Sequence, residues 1–305
     1  MSSKVSTKVS ISTLELRNPV MTASGTFGYG LEFAEYMDLN SIGAIVTKGL
    51  ALKPVKGNKP QRLVETPAGI INAIGLQNIG VDSFIKDKMP LLKNYKTPVI
   101  ANIYGTSIDE YIGVAEKLDK TGVAAVEVNI SCPNVKKGGL QFAVDRDAIK
   151  AILSGVKAGF SGPVIMKLSP NVGPLENIAR LCEENGAAAL SLINTLVGMS
   201  IDIEKKRPHI ANIYGGLSGP AIKPVALAFV HKISKVVKIP IIGIGGIMTA
   251  RDAIEFLMAG ATAVQVGTAN FRSPDASERI AEGIFEYMSK NGIKDIHEVI
   301  GCLNC

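Results

Sequence analysis

Polar residues with chemical potential sit at the ends of apolar runs in this chain. Two lysines close such runs, in Ile45-Val-Thr-Lys48 and Ile165-Met-Lys167. An ammonium there can pair with a carboxylate or phosphate, stabilise a developing negative charge, or form a Schiff base. The plainer alternative is a lysine that escapes to solvent at the rim of the fold. Asn102, Asn129 and Asn194 close three further runs. Their amides offer donors and an acceptor to a flat heterocycle, although any one of them could serve only as a turn residue. Cys132 follows in Asn129-Ile-Ser-Cys132-Pro133-Asn134. A thiol with a reference pKa of ~8.5 becomes a nucleophile or general base when nearby cations raise its thiolate fraction, and Lys48 and Lys167 are candidates for that field. No histidine competes, because His209, His231 and His297 lie in a long loop or in outer segments. Glycines end two more runs, in Gly243-Ile-Gly245-Gly246 and Gly267-Thr268. Backbone N–H groups beside glycine can approach a phosphate closely at a helix N-terminus; tight strand–helix packing would also require glycine. The GxGxxG dinucleotide fingerprint is not completed.

These residues span more than two hundred positions, so only a particular architecture brings them together. Eight runs read as strands: residues 19–24, 44–48, 98–103, 125–130, 163–168, 188–194, 240–245 and 263–267. Nearly continuous apolar character marks parallel strands buried on both faces. Helical patterns separate many of them. Ser107-Ile-Asp-Glu110 is a capping-box signature before the apolar face Ile108, Tyr111, Ile112, Ala115 and Leu118, which Gly122 can end. Thr249 can cap a second helix that runs to Gly260. The expected fold is an α/β (β/α)8 TIM barrel in a single domain over residues 1–305. An N-terminal hairpin is expected within residues 5–16, where apolar and polar residues alternate. Closing the sheet gathers strand C-termini on one face, which carries the active site in barrels of this kind. Residues 50–78 and 196–224 form long insertions on that face, and the glycines of the Asn134–Gln141 segment look like hinges.

Composition narrows the function classes. The chain has 305 residues, 47% of them hydrophobic and 20% charged, enough to bury a large core. The polar N-terminus shows no signal peptide, and no apolar run reaches the ~20 residues of a membrane span, so a cytoplasmic protein is expected. The formal charge of +6 rests on basic clusters at Lys53–Lys59 and Lys205–Arg207 that Pro and Gly interrupt and no aromatics interleave, which argues against nucleic-acid binding. The four cysteines show no disulfide framework. Cys182 falls on an apolar helix stripe, and Cys302 and Cys305 form a terminal CxxC without a second ligand pair, so no metal site is expected.

Taken together, Asn72-Ala-Ile-Gly-Leu-Gln77-Asn78, Asn129-Ile-Ser-Cys-Pro-Asn134-Val, Met166-Lys-Leu-Ser-Pro-Asn171-Val, Ile193-Asn-Thr-Leu196, Gly216-Leu-Ser-Gly219-Pro and Ile242-Gly-Ile-Gly-Gly246 resemble the dihydroorotate dehydrogenases, in order and over nearly the whole chain. The resemblance implies an FMN-dependent barrel of pyrimidine biosynthesis that oxidises dihydroorotate to orotate. Cys132 would remove the C5 proton while hydride leaves C6 for the flavin, with Lys167 beside the ring. The positions implied for FMN are Ser24, Lys48, Gly49, Asn102, Asn129, Lys167, Ile193, Gly219, Gly245, Gly246, Gly267 and Thr268. Those implied for the substrate are Lys48, Asn72, Ala73, Ile74, Gly75, Leu76, Asn129, Asn194 and Thr195. Within the family, Asn72-Ala-Ile-Gly-Leu-Gln77, Leu217-Ser-Gly-Pro-Ala and Ile300-Gly-Cys-Leu look like the NAD+-dependent class 1B. That class implies a homodimeric core with two partner subunits carrying FAD and a [2Fe–2S] cluster, together a heterotetramer. The nearest rival is the fumarate-using class 1A homodimer; a Schiff-base barrel aldolase or isomerase using Lys167 and a non-enzymatic flavin-storing barrel stand further off.

Overall fold

The computed structural model describes residues 5–130 and 145–304. Eight parallel strands form its centre: β1 Val20–Thr22, β2 Ile45–Val46, β3 Val99–Ile103, β4 Ala125–Asn129, β5 Val164–Lys167, β6 Ala189–Leu192, β7 Ile241–Ile244 and β8 Ala263–Val266. They neighbour one another in the order β1-β8-β7-β6-β5-β4-β3-β2. A bridge between Met21 and Ala44, with Thr22 N donating to Ala44 O at 3.2 Å, joins the last strand to the first. The sheet closes into a (β/α)8 barrel. Every residue of the eight strands is buried, which is why the runs are apolar on both faces.

Six helices of nine residues or more surround the barrel among the described residues: α1 Ile108–Leu118, α2 Arg146–Gly159, α3 Leu175–Glu184, α4 Lys223–Ser234, α5 Ala250–Met258 and α6 Ala276–Lys290. The early part of the barrel is less regular. Only 3₁₀ turns at Leu31–Phe33 and Leu39–Ser41 connect β1 to β2, and short helical pieces within residues 81–92 precede β3. At α5 the capping box is complete, with Thr249 and Asp252 exchanging hydrogen bonds. At α1 it is only half formed. Ser107 Oγ accepts from Glu110 N, but the Glu110 carboxylate turns to Thr106 N at 2.6 Å and Thr106 Oγ1 at 2.8 Å. Nor does Gly122 end α1: the helix stops at Leu118, and Lys120 takes the first left-handed turn at φ 58° before Gly122 takes another at φ 99°.

The N-terminal hairpin pairs Val9–Ile11 with Leu14–Leu16 and buries Val9, Ile11 and Leu16 in the main core. The two long insertions build one structure. Leu63–Thr66 and Gly69–Asn72 form a hairpin, and Gly69–Asn72 pairs with Tyr214–Ser218, which pairs with Leu196–Met199. The result is a four-stranded antiparallel sheet.

Cys182 is fully buried on α3, and that burial pushes its thiol pKa up to about 12, so it behaves as a small core hydrophobe. Cys302 is exposed, and Cys305 lies outside the described residues. Among the described residues no helix is long and apolar enough to cross a membrane, and no three His, Cys, Asp or Glu side chains could hold a metal.

Candidate active site

A cavity of about 300 Å³ opens where the barrel strands end, roofed in part by the antiparallel sheet. Its lining includes Ser24, Lys48, Gly49, Asn102, Asn129, Lys167, Ile193, Asn194, Thr195, Gly219, Gly245, Gly246, Gly267 and Thr268. From the insertion come Asn72, Ile74, Gly75 and Leu76. Ala73 is the exception. Strand alternation sends Ile70, Asn72 and Ile74 toward the cavity, so Ile71 and Ala73 point away and pack with Ile210. Cys132 and the whole Asn134–Gln141 segment lie outside the described residues. None of the three histidines lines the cavity.

Among the described residues three charged side chains line the cavity, Lys48, Arg62 and Lys167, and all are cations. Such a wall favours an anionic ligand. Lys167 is 4% exposed, and its Nζ lies 3.3 Å from both Ser24 Oγ and Glu127 Oε1. Lys48 makes no ion pair among the described residues. Burial holds its amine below the usual lysine range, repulsion from Arg62 adds to this, and Glu32 opposes it.

One wall is backbone. Gly219, Gly245 and Gly246 have φ of 101°, 135° and 70°, and a Cβ on Gly246 would stand 2.8 Å from Gly219 O. The chain turns helical just after each of these segments, at Pro220, at Ala250 and again at Ala269 beyond Thr268. Lys223 braces this wall by donating to Asp252 Oδ1 at 2.6 Å and Glu255 Oε1 at 3.0 Å, tying α4 to α5. Burial works against the Lys223 charge, but those carboxylates hold its pKa above the usual value.

The opposite wall is held by hydrogen bonds whose pairing the sequence does not show. Leu76 adopts φ 55°, a strained value for a branched side chain. Its carbonyl accepts from Tyr104 Oη at 2.8 Å and Asn78 Nδ2 at 2.9 Å, while Gln77 Oε1 accepts from Arg62 Nη2 at 2.7 Å. Asn171 Nδ2 donates to Thr195 O at 2.8 Å and so fixes the segment after β6. Tyr111 Oη donates to Asn129 O at 2.9 Å. Glu127 was overlooked, although one carboxylate inside Ala-Val-Glu-Val-Asn is a visible break in an apolar strand.

The family model described as dihydroorotate dehydrogenase matches residues 6–288. Relatives named dihydroorotate dehydrogenase B (NAD(+)), catalytic subunit, are 59% identical in Geotalea uraniireducens and 60% identical in Geotalea daltonii, each over 97% of both chains. The corresponding protein of Geobacter sulfurreducens is 57% identical over the same share. A solved structure of a DHODH from Eimeria tenella, in complex with ferulenol, superposes with a TM-score of 0.83 at 22% identity, covering 97% of this chain and 88% of that one. That likeness speaks for the fold, while the identities with the bacterial relatives extend along almost the whole chain. The chain belongs to the dihydroorotate dehydrogenase family.

Proposed function

We propose that this chain is the catalytic subunit of an NAD+-dependent dihydroorotate dehydrogenase, one barrel domain that binds FMN and oxidises dihydroorotate to orotate. The observation that carries this reading is the cavity itself. Residues from Ser24 to Thr268 converge on a space whose charged groups, among the described residues, are all cationic, in a chain 59% identical over 97% of its length to a named catalytic subunit. The glycine wall fits a phosphate, because Gly246 leaves no room for a Cβ and helical turns begin nearby. Gly219, Gly245, Gly246, Gly267 and Thr268 would hold that phosphate, with Ser24, Gly49, Asn102, Asn129, Lys167 and Ile193 around the ring. FMN, when bound, accepts the hydride that leaves C6.

The remaining work falls to side chains of this chain. Lys48 would bind the substrate carboxylate, with the backbone of residues 73–76 and the amides of Asn72, Asn129 and Asn194 around the ring edge and Thr195 beside them. Cys132, three residues beyond Asn129, would take the C5 proton. Lys167 would stabilise negative charge left on the reduced ring. The chain shows neither ferredoxin-like cysteine spacing nor a nicotinamide fingerprint, so electrons bound for NAD+ need a partner. We place FAD and [2Fe–2S] on that subunit, in a cytoplasmic assembly of two catalytic and two electron-transfer chains.

The visible spectrum tests the reading directly. Purified protein is expected to be yellow and to bleach when dihydroorotate is added without air; a colourless protein would end the proposal. Turnover with fumarate in the absence of any partner would favour the class 1A alternative. Lys48 adds a pH dependence. Its depressed pKa means that the folded protein loses this charge at a lower pH than free lysine does. Orotate affinity should therefore fall as pH rises through that depressed pKa, and Lys48→Arg, which stays charged, should flatten the profile. Equal slopes in both proteins would exclude Lys48 as the carboxylate anchor.

A further inference from the structure

Glu127 is fully buried in β4, in the barrel interior beneath the cavity floor. Its Oε1 accepts from Asn102 Nδ2 at 2.6 Å and faces Lys167 Nζ at 3.3 Å, and its Oε2 accepts from Gln265 Nε2 at 2.6 Å. Three strands besides its own, β3, β5 and β8, thus send a donor to one carboxylate. Stability does not explain this arrangement, since well-packed apolar residues usually replace a buried ion pair without loss. A carboxylate is also acceptor-only. Asn102 must turn its NH2 toward Glu127, which leaves Asn102 Oδ1 facing Gly49 at the cavity wall, where a Cβ would lie only 3.0 Å from it. Gln265 is forced the same way, and its Oε1 is buried without a hydrogen-bond partner among the described residues.

We infer that Glu127 is a positioning residue for the flavin reaction, holding Lys167 and the Asn102 and Gln265 amides in one charge-balanced array at the base of the cavity. The inference rests on FMN occupying this cavity, as proposed above. An uncompensated ammonium near the ring would make it a strong electron acceptor and a poor donor. Glu127 offsets that charge, so the ring can accept electrons from the substrate and still pass them on. Glu127 Oε1, 3.3 Å from Lys167 Nζ, also fixes where that side chain ends.

Sulfite, which adds reversibly to oxidised flavin and bleaches it, reads electron affinity without turnover. At pH 6.5, Glu127→Gln is expected to bind sulfite at least tenfold more tightly than the unaltered protein. A tenfold change carried entirely by the two-electron midpoint potential corresponds to about 30 mV upward. Glu127→Asp, which keeps the charge, should stay within threefold. A second comparison removes the lysine from the question: Glu127→Gln with Lys167→Met should bind sulfite at least tenfold more tightly than Lys167→Met alone. This pair also carries the test if Glu127→Gln alone does not fold, because it leaves no unpaired cation in the barrel. Sulfite affinities within twofold in both comparisons, in yellow protein, would overturn the assignment of Glu127 and leave the FMN reading standing. Colourless unaltered protein would overturn both.

Discussion

Cys132→Ser should purify yellow, with its flavin content intact, and yet be reduced by dihydroorotate about 10²–10⁴-fold more slowly near neutral pH, the usual contribution of a positioned general base. A hydroxyl is a far weaker base than a thiolate, whereas the change in volume is small, so binding should survive while proton removal does not. In the unaltered enzyme, the single-turnover reduction rate should climb with pH through the thiol range near ~8.5, displaced by whatever field acts on the sulfur. Lys48 and Lys167 both line the cavity and would pull that midpoint down. Stopped-flow bleaching of the flavin measures both effects. A serine variant reduced as fast as the parent, or a parent with a flat pH profile, would remove Cys132 from the base role.

Gly246→Val should abolish flavin retention while leaving the barrel folded. At φ 70° a β-branched residue is strained, and its Cβ would stand 2.8 Å from Gly219 O and 2.9 Å from Lys223 N, backbone atoms that cannot swing aside. The glycine wall must then open where the phosphate would sit. FMN affinity should drop by about 100-fold or more, roughly 2.7 kcal/mol, and the protein should elute colourless with an unchanged far-ultraviolet circular dichroism spectrum. Gly173→Ala is the matched control, because nothing lies within 4 Å of a Cβ there. Equal FMN affinities in Gly246→Val and the parent would show that the phosphate sits elsewhere.

The barrel strands were legible because a parallel strand buried on both faces has few choices of residue. Val99–Ile103 and Ala189–Leu192 are buried throughout, and their composition says so. The polar interruptions were equally legible: Lys48, Asn102, Asn129 and Lys167 end or nearly end strands, and all line the cavity. Capping was less so. Ser107 and Glu110 have the right spacing for a reciprocal box, but Thr106 offers the Glu110 carboxylate two donors and takes it.

Other features depend on partners far along the chain. Glu127 meets Gln265 across 138 positions, and nothing local to either strand predicts that hydrogen bond. The pairing of Gly69–Asn72 with Tyr214–Ser218 is of the same kind, as is the direction in which Ala73 points.

Read alone, the amino-acid order of this protein determined its eight-strand pattern, the helix starts at Ser107 and Thr249 and the chemical types gathered at strand ends, since burial and local hydrogen bonding select residues position by position. Only the tertiary structure decided which insertion pairs with which, which face of the Gly69–Ala73 segment meets the cavity, and which donors Glu127 recruits. Those outcomes depend on free energies of contact between remote segments, and such contacts exist only once the barrel has closed.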